Sequence, residues 1–475
     1  MSYVQGESRE QRVLFPEALD EYITEDNVVR FIDAFVEGLE MEELGFNRTA
    51  PKETGRPPYD PRDLLKLYIY GYINRIRTGR TLERECHRNV ELMWLMRKLG
   101  PDFKTITDFR KDNRGAFKGV FRQFVLVCKG LGLLGGEWVA VDGSKFKAVN
   151  SGERNFTRKK LERRLKELDG KVERYLDEMD RSDREEQAPA LDKEELKQKI
   201  EKLKERKGRY EELIKELNSS GQSQVSLTDP DSRAMALTPR GEVSYNVQTA
   251  VDSKYHLIVA EEVTNEGLDN HQLFSMAHRA KEILGQREID VVADMGYYSH
   301  EEFQNCEAAG ITVYVAKPLN SKNTAHGLFG KERFVYEPDS DSYICPSGER
   351  LTFRFQSREY KNKKFRYYWT LACLSCPIKA RCTTNQQFRR IKRWEHEAIA
   401  ERVQKRVLAN SLVMKLRQQI VEHPFGTIKF WNDQRHFLMK GLAKVRAEFS
   451  LSTLAYNLKR AVNIVGVKGL LTALP

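Results

Sequence analysis

Glu137-Trp-Val-Ala-Val-Asp142 is a short apolar run that ends on an acid, and Gly143-Ser144 follows at once. Ile289-Asp-Val-Val-Ala293 repeats the pattern and leads directly into Asp294-Met-Gly-Tyr-Tyr298. Both runs have the length and β-branched content of buried strands. An acid placed directly after such a strand is held at the edge of a sheet, exposed and oriented. Aspartate also favours turns for purely local reasons, so either acid taken alone reads equally well as a turn residue.

The neighbouring segments set the fold class. Val243–Val251 reads as a strand, Asp252-Ser-Lys254 as a turn and His256–Val263 as the return strand. A helix is expected from about Asn270 to Leu284, a short one over His300–Ala309, and a strand over Ile311–Val315. Residues 396–465 read as strongly helical. The order is strand, hairpin pair, helix, strand, helix, strand, then helices. That is the element order of an RNase H-like fold, a mixed α/β sheet flanked by helices. The expected units are a helical N-terminal domain (1–135), a core (136–152 and 220–318) and a helical hairpin insertion (153–219). A basic, cysteine-bearing insertion, read as irregular, spans 319–395, and C-terminal helices span 396–475.

Two segments have helical periodicity of different kinds. From Pro61 to Arg77, Leu64, Leu67, Tyr68, Gly71, Tyr72 and Ile76 recur on one face, with Asp60 as cap and the extended lead-in Gly55-Arg-Pro-Pro-Tyr59 before it. Arg75, Arg77, Arg80, Arg84 and Arg88 follow closely. Short helices with clustered arginines suit a helix-turn-helix-like DNA-binding unit, and equally a solvated bundle. In the hairpin, Leu161, Leu165, Leu168, Val172, Leu176 and Met179 form one apolar stripe. Leu196, Ile200, Leu203, Tyr210, Leu213 and Leu217 form the other, with Pro189 between the two. The dense, nearly balanced charges of this hairpin read as a solvated face.

The formal net charge of +11 over 475 residues suits a polyanionic partner such as nucleic acid. Residues 1–20 have no apolar signal-like stretch, and no run approaches the ~18 apolar residues of a membrane span. A cytosolic (cytoplasmic) protein with reduced cysteines is expected.

The third acid is Glu422, in Ile420-Val-Glu-His-Pro-Phe-Gly-Thr-Ile-Lys429. Lys429 lies two helical turns on, while Pro424 and Gly426 predict a helix start or kink near Glu422. At this point the chain resembles the DDE transposases of insertion sequences. Val141-Asp-Gly-Ser144 is similar to their first block, Asp294-Met-Gly-Tyr-Tyr298 to their second, and the Glu422 segment to their third. In that third block a Tyr and an Arg precede the Glu and a Lys follows it. Lys429 matches the Lys. Lys415 and Gln418 stand at the Tyr and Arg positions, which leaves the neighbouring Arg417 as the candidate for the Arg. The N-terminal stretch Gly55–Asn113 also resembles the helical domain of these proteins, and the nearest likeness is to the IS-eleven-eighty-two-like group of the IS-five-like superfamily.

The resemblance implies a magnesium- or manganese-dependent enzyme. Asp142, Asp294 and Glu422 would hold two ions, DNA cleavage would be followed by strand transfer, and Lys429 would lie on a phosphate. It also implies terminal inverted repeats and target DNA as partners, bound by a homodimer that pairs two ends. An RNase H-like nuclease, or an inactivated transposase kept as a DNA-binding protein, are the alternatives.

Cys345, Cys373, Cys376 and Cys382 carry one CxxC pair and suit a structural Zn²⁺, an iron–sulfur centre, or a loop of reduced thiols. Lys361-Asn-Lys-Lys-Phe-Arg-Tyr-Tyr-Trp369 and Arg389-Arg-Ile-Lys-Arg-Trp394 interleave cations and aromatics around them, a pattern suited to DNA. Cys86, Cys128 and Cys306 read as structural. Asp229 and Asp231 are expected in an Asx turn at Pro230, Asp252 in its hairpin turn, and Asp269 at a helix start.

Overall fold

The computed structural model describes residues 18–50, 57–184, 193–235, 242–318, 322–358, 364–410 and 412–474. Gly55, Arg56, Pro189 and residues 361–363, all used above, lie outside them. The N-terminal helices are α1 (Val28–Glu37), α2 (Pro61–Ile73), α3 (Gly79–Cys86), α4 (Val90–Leu95), α5 (Phe103–Asp112) and α6 (Phe117–Gly130). Helix α2 starts as its sequence dictates: Pro61 opens it, and the Asp60 carboxylate accepts from Arg62 N at 2.8 Å.

Next come β1 (Trp138–Lys147), β2 (Asn155–Thr157), α7 (Arg158–Arg184), α8 (Lys193–Ser220), β3 (Gln224–Ser226), β4 (Arg233–Ala234), β5 (Val243–Asp252) and β6 (Ile258–Thr264). They are followed by α9 (Leu273–Leu284), β7 (Ile289–Ala293), α10 (His300–Ala308), β8 (Ile311–Val315) and α11 (Lys322–Ala325). The rest is β9 (Val335–Glu337), β10 (Ser342–Ile344), β11 (Arg350–Gln356), β12 (Phe365–Trp369), β13 (Ile391–Trp394), α12 (Glu397–Ala409), α13 (Val413–Gly426) and α14 (Leu442–Leu471).

The main sheet has the order β4-β5-β1-β7-β8, with β6 also on β5. Strand β1 is antiparallel to β5 and parallel to β7, and β7 is parallel to β8. Fully buried runs such as Val139-Ala-Val141 and Val291-Val-Ala293 suit a sheet covered on both faces. Helix α14 packs on β6 and on α1, α2 and α6, so one apolar cluster runs from Ile23 through Val315 to Leu470. The N-terminal helices and the sheet therefore share a core across residue 135. Asn457 of α14 joins them further: its amide donates to Ile258 O (2.8 Å) and its oxygen accepts from Ile258 N (2.9 Å). Among the described residues, no helix is long and apolar enough to cross a membrane.

The hairpin α7/α8 forms as expected, closed at its base by β2 pairing with β3 and a cluster of Phe156, Leu161, Leu213 and Leu217. Leu176, placed on the apolar stripe, is 46% exposed, because the packing weakens away from that base. The segment expected to be irregular instead contains a five-stranded antiparallel sheet, β13-β12-β11-β10-β9, around Phe334, Tyr343, Leu351, Tyr368 and Ile391. Its strands are short and unevenly buried, β11 exposed at every residue but Leu351 while β10 and β13 are mostly buried, so no regular apolar alternation marks them.

Asp229 and Asp231 hold the start of α14. Asp229 accepts from Tyr245 Oη (2.7 Å) and Gly441 N (3.0 Å), and Asp231 accepts from Leu442 N (2.8 Å). The Arg77 guanidinium donates to Asp433 O and His436 O, both at 3.1 Å, and lies 3.6 Å from the buried carboxylate of Glu448. Arg77 is thus a strut between the α2–α3 turn and the lead-in to α14, and not a surface cation like Arg75. Arg77→Ala is expected to lower stability by about 2 kcal/mol, since a buried carboxylate loses a charged partner, with DNA affinity falling only as far as folding does. Urea unfolding checks it; an unchanged midpoint contradicts the strut.

Candidate active site

The parallel pairing of β1 with β7 ends at Val141↔Ala293. Asp142, still on β1, and Asp294, the first residue after β7, follow where the pairing stops, close enough for the Asp294 charge to act on Asp142. Asp142 is not the end of its strand, as expected from sequence: β1 continues against β5 to Lys147, and Asp142 faces Thr249. The inner step in the sheet, not a strand terminus, exposes it. Each acid is oriented by a backbone N–H. Gly143 N donates to Asp142 Oδ1 and Gly296 N to Asp294 Oδ1, both at 2.8 Å.

Asp142 Oδ2 lies 3.3 Å from Arg417 Nη1. Burial pushes the Asp142 carboxyl up to about 6; Arg417 and the Gly143 N–H oppose this, and Asp294 and Asp269 add to it. The Arg417 Nε is itself buried without a hydrogen-bond partner. Two like charges sharing one cleft, only partly balanced by one guanidinium, form an oxygen donor set that suits a hard divalent cation.

Behind β1 lies a polar network that the sequence reading missed. Gln248 stands opposite Gly143 and Asn246 opposite Lys145, on the face away from Asp142. Asp269 Oδ1 accepts from Asn246 Nδ2 and Gln248 Nε2, both at 2.7 Å, and from Lys145 Nζ at 3.4 Å. The Tyr297 hydroxyl, three residues after Asp294, donates to Gln248 Oε1. The network therefore joins the strand of Asp142 to the turn of Asp294. A Cβ at Gly143 would fall inside contact distance of Gln248 and Asp269. Two amides spaced two apart, Asn246 and Gln248, in a fully buried strand were the available signal.

Glu422 lies within α13, which runs uninterrupted through Pro424 and continues as a π-helical turn over Thr427–Trp431. The helix thus neither starts nor breaks at Glu422; it passes through Pro424 without the bond that a 424 N–H would give to Ile420 O, and a wider turn follows it. Glu422 is exposed and accepts from Gln418 Nε2 at 2.8 Å. Along the chain it sits between Arg417, paired with Asp142, and Lys429. The Lys429 Nζ donates to Ser144 Oγ (2.6 Å) and Lys145 O (2.9 Å), and burial lowers its pKa. Both expected DNA-contacting cations of this helix are thus engaged with β1. Among the described residues, no group of three or more His, Cys, Asp or Glu side chains is placed to hold a metal ion, so the three acids are not gathered on a common point.

Elsewhere, Arg75, Arg80, Arg84 and Arg88 are exposed; Arg80 lies over Phe103 and Arg88 pairs with Glu85. Cys345, Cys373, Cys376 and Cys382 line one cavity of about 20 Å³, the size of a single water, without closing on a common point. Cys86, Cys128 and Cys306 are buried thiols pushed up by desolvation. Asp252 accepts from Gly135, Gly136 and Lys254 N–H groups and ties down the lead-in to β1.

Comparison with known proteins finds transposase domains at both ends of the chain. Residues 17–112 match a transposase domain model (DUF772), and residues 344–462 match a transposase DDE domain model. The second span holds strands β11–β13 of the cysteine-bearing sheet and the helix of Glu422, while Asp142 and Asp294 lie between the two spans. The chain is transposase-like over both regions. A solved structure described as a piggyBac transposase synaptic complex with hairpin DNA is 9% identical and aligns over 91% of this chain and 79% of that one, with a TM-score of 0.25. No curated protein matches the chain.

Two outcomes follow from the site's packing and charge. The raised Asp142 carboxyl destabilises the fold as pH rises from the ordinary carboxylate range through about 6. Asp142→Asn should therefore stabilise the metal-free protein at pH 7.5, by up to about 3 kcal/mol, and the gain should vanish near pH 4. Thermal unfolding across pH checks this; a pH-independent difference contradicts it. Gly143→Ala should cost about 1–3 kcal/mol by forcing the Gln248–Asp269 contact apart, as read by urea unfolding.

Proposed function

We propose that the protein is an insertion-sequence DNA transposase of the DDE type. Asp142, Asp294 and Glu422 form the acid set of an RNase H-like core and would hold Mg²⁺ or Mn²⁺ once Glu422 turns toward the two aspartates. The observation that carries this reading is the register Val141↔Ala293, which puts two carboxylates side by side at a step in the sheet. Bound there, the ions would supply activation of the attacking oxygen and neutralise the leaving one. Glu422 comes from an exposed position on α13, with Gln418 as its partner, so it is free to turn toward the two aspartates. Arg417 holds Asp142 in charge balance, and Lys429 places a cation beside Ser144 for a DNA phosphate. The exposed Arg75, Arg80, Arg84 and Arg88 grip duplex backbone at the terminal inverted repeats. Two copies of the chain pair the two ends.

DNA carrying candidate ends, incubated with Mg²⁺ or Mn²⁺, tests the assignment. Asp142→Asn, Asp294→Asn and Glu422→Gln should each slow cleavage roughly a thousandfold or more, about 4 kcal/mol of barrier, while DNA binding persists. Equal cleavage by wild type and Asp142→Asn would sink the proposal.

The four cysteines provide soft donors around a cavity of single-ion size, and we assign them a structural Zn²⁺. Metal analysis should find about one zinc per chain, lost together with some thermal stability on chelation. Less than about half an equivalent of zinc contradicts the assignment.

A further inference from the structure

The residue after Glu422 is anchored more firmly than Glu422 itself. His423 reaches from α13 across to α14. Its Nδ1 lies 3.0 Å from Tyr456 Oη, and its Nε2 lies 3.1 Å from Arg460 Nη1. The Tyr456 hydroxyl lies 2.7 Å from His256 O, in the turn between β5 and β6, and Arg460 Nε donates to Tyr255 O in the same turn.

The donors and acceptors of this chain have one consistent assignment. A guanidinium only donates, so Arg460 donates to His423 Nε2, and the ring proton sits on Nδ1. Tyr456 has one hydroxyl hydrogen and a backbone carbonyl only accepts, so that hydrogen goes to His256 O. The Tyr456 oxygen then accepts from His423 Nδ1. The chain of bonds runs from α14 to α13, back to α14 and on to the β5–β6 turn. Tyr456 is 2% exposed, on a helix that packs against α1, α2, α6 and β6, so the far end of the chain is held by the core.

The sequence of α13 makes an anchor necessary at this point. Pro424 has no N–H, so Ile420 O loses its bond along the helix. A proline also disfavours the α conformation in the residue before it, and that residue is His423. The helix backbone is therefore weakened beside Glu422. Successive helical residues differ in direction by ~100°, so a modest roll of α13 about its axis swings the Glu422 carboxylate away from the cleft. Arg417 ties the helix to Asp142 on one side, at 3.3 Å, and His423 ties it to α14 on the other.

We infer that His423 is the positioning residue of the third acid: through Tyr456 and Arg460 it sets the roll of α13 and keeps Glu422 within reach of the two aspartates. The inference deepens the transposase reading and rests on it for the role of Glu422.

Titration of the metal-free full chain with Mn²⁺ alone, read by calorimetry or by the electron paramagnetic resonance of free Mn²⁺, tests it without DNA. His423→Phe and Tyr456→Phe should each weaken Mn²⁺ binding about tenfold, the loss expected when a partner that orients a metal ligand is removed. In a Glu422→Gln background, His423→Phe should weaken Mn²⁺ by less than about twofold further, because a residue that acts only through Glu422 has nothing left to act on. Unchanged Mn²⁺ affinity in both single variants overturns the inference. So does an equal loss with and without Glu422, which would make His423 a support of the fold at large; both of these results leave the acid set standing. Wild-type Mn²⁺ affinity in Glu422→Gln removes Glu422 from the acid set, and the inference with it.

Discussion

The parallel pairing of β1 with β7, with Val141 opposite Ala293, is the constraint on which the rest depends. A one-residue slip would send one of the two acids to the opposite face of the sheet. The register is fixed from three sides. Apolar residues on both strands are fully buried, β5 and β8 flank the pair, and Tyr297 reaches back from the Asp294 turn to Gln248 of β5. Because β1 outruns β7, the sheet opens beside Asp142 without ending there.

Opening the sheet at that point has an electrostatic cost that the surrounding cations reduce. Arg417 faces Asp142, Lys145 faces Asp269, and Lys429 lies against Ser144 and the Phe146 ring. Each is partly desolvated, and burial lowers the pKa of Lys145 and of Lys429. The helix α13 that delivers two of these groups also carries Glu422, so its position tunes both the balancing charge and the third acid. The π-helical turn after Gly426 widens the helix between Glu422 and the contact made by Lys429.

How much of this was legible in the sequence depended on how local each signal was. Buried runs followed by an acid marked β1 and β7, and the amphipathic stripes marked α7 and α8. The proximity of Asp142 and Asp294 was legible only through likeness to transposase blocks, since strand register is a tertiary property. The cysteine-bearing sheet was read as irregular because its strands are short and follow no regular apolar alternation. Asp269 read as a helix opener; its partners Asn246 and Gln248 lie on another strand, and no local pattern joins them. Arg77 looked like its exposed neighbours Arg75 and Arg80, although its partners are more than 350 residues away in the chain.

Crystals of the protein soaked in Mn²⁺, with the anomalous scattering of the metal mapped, test the central claim most directly. The account predicts a manganese peak between the carboxylates of Asp142 and Asp294, absent in Asp294→Asn. A peak elsewhere, or one that survives that substitution unchanged, would contradict it.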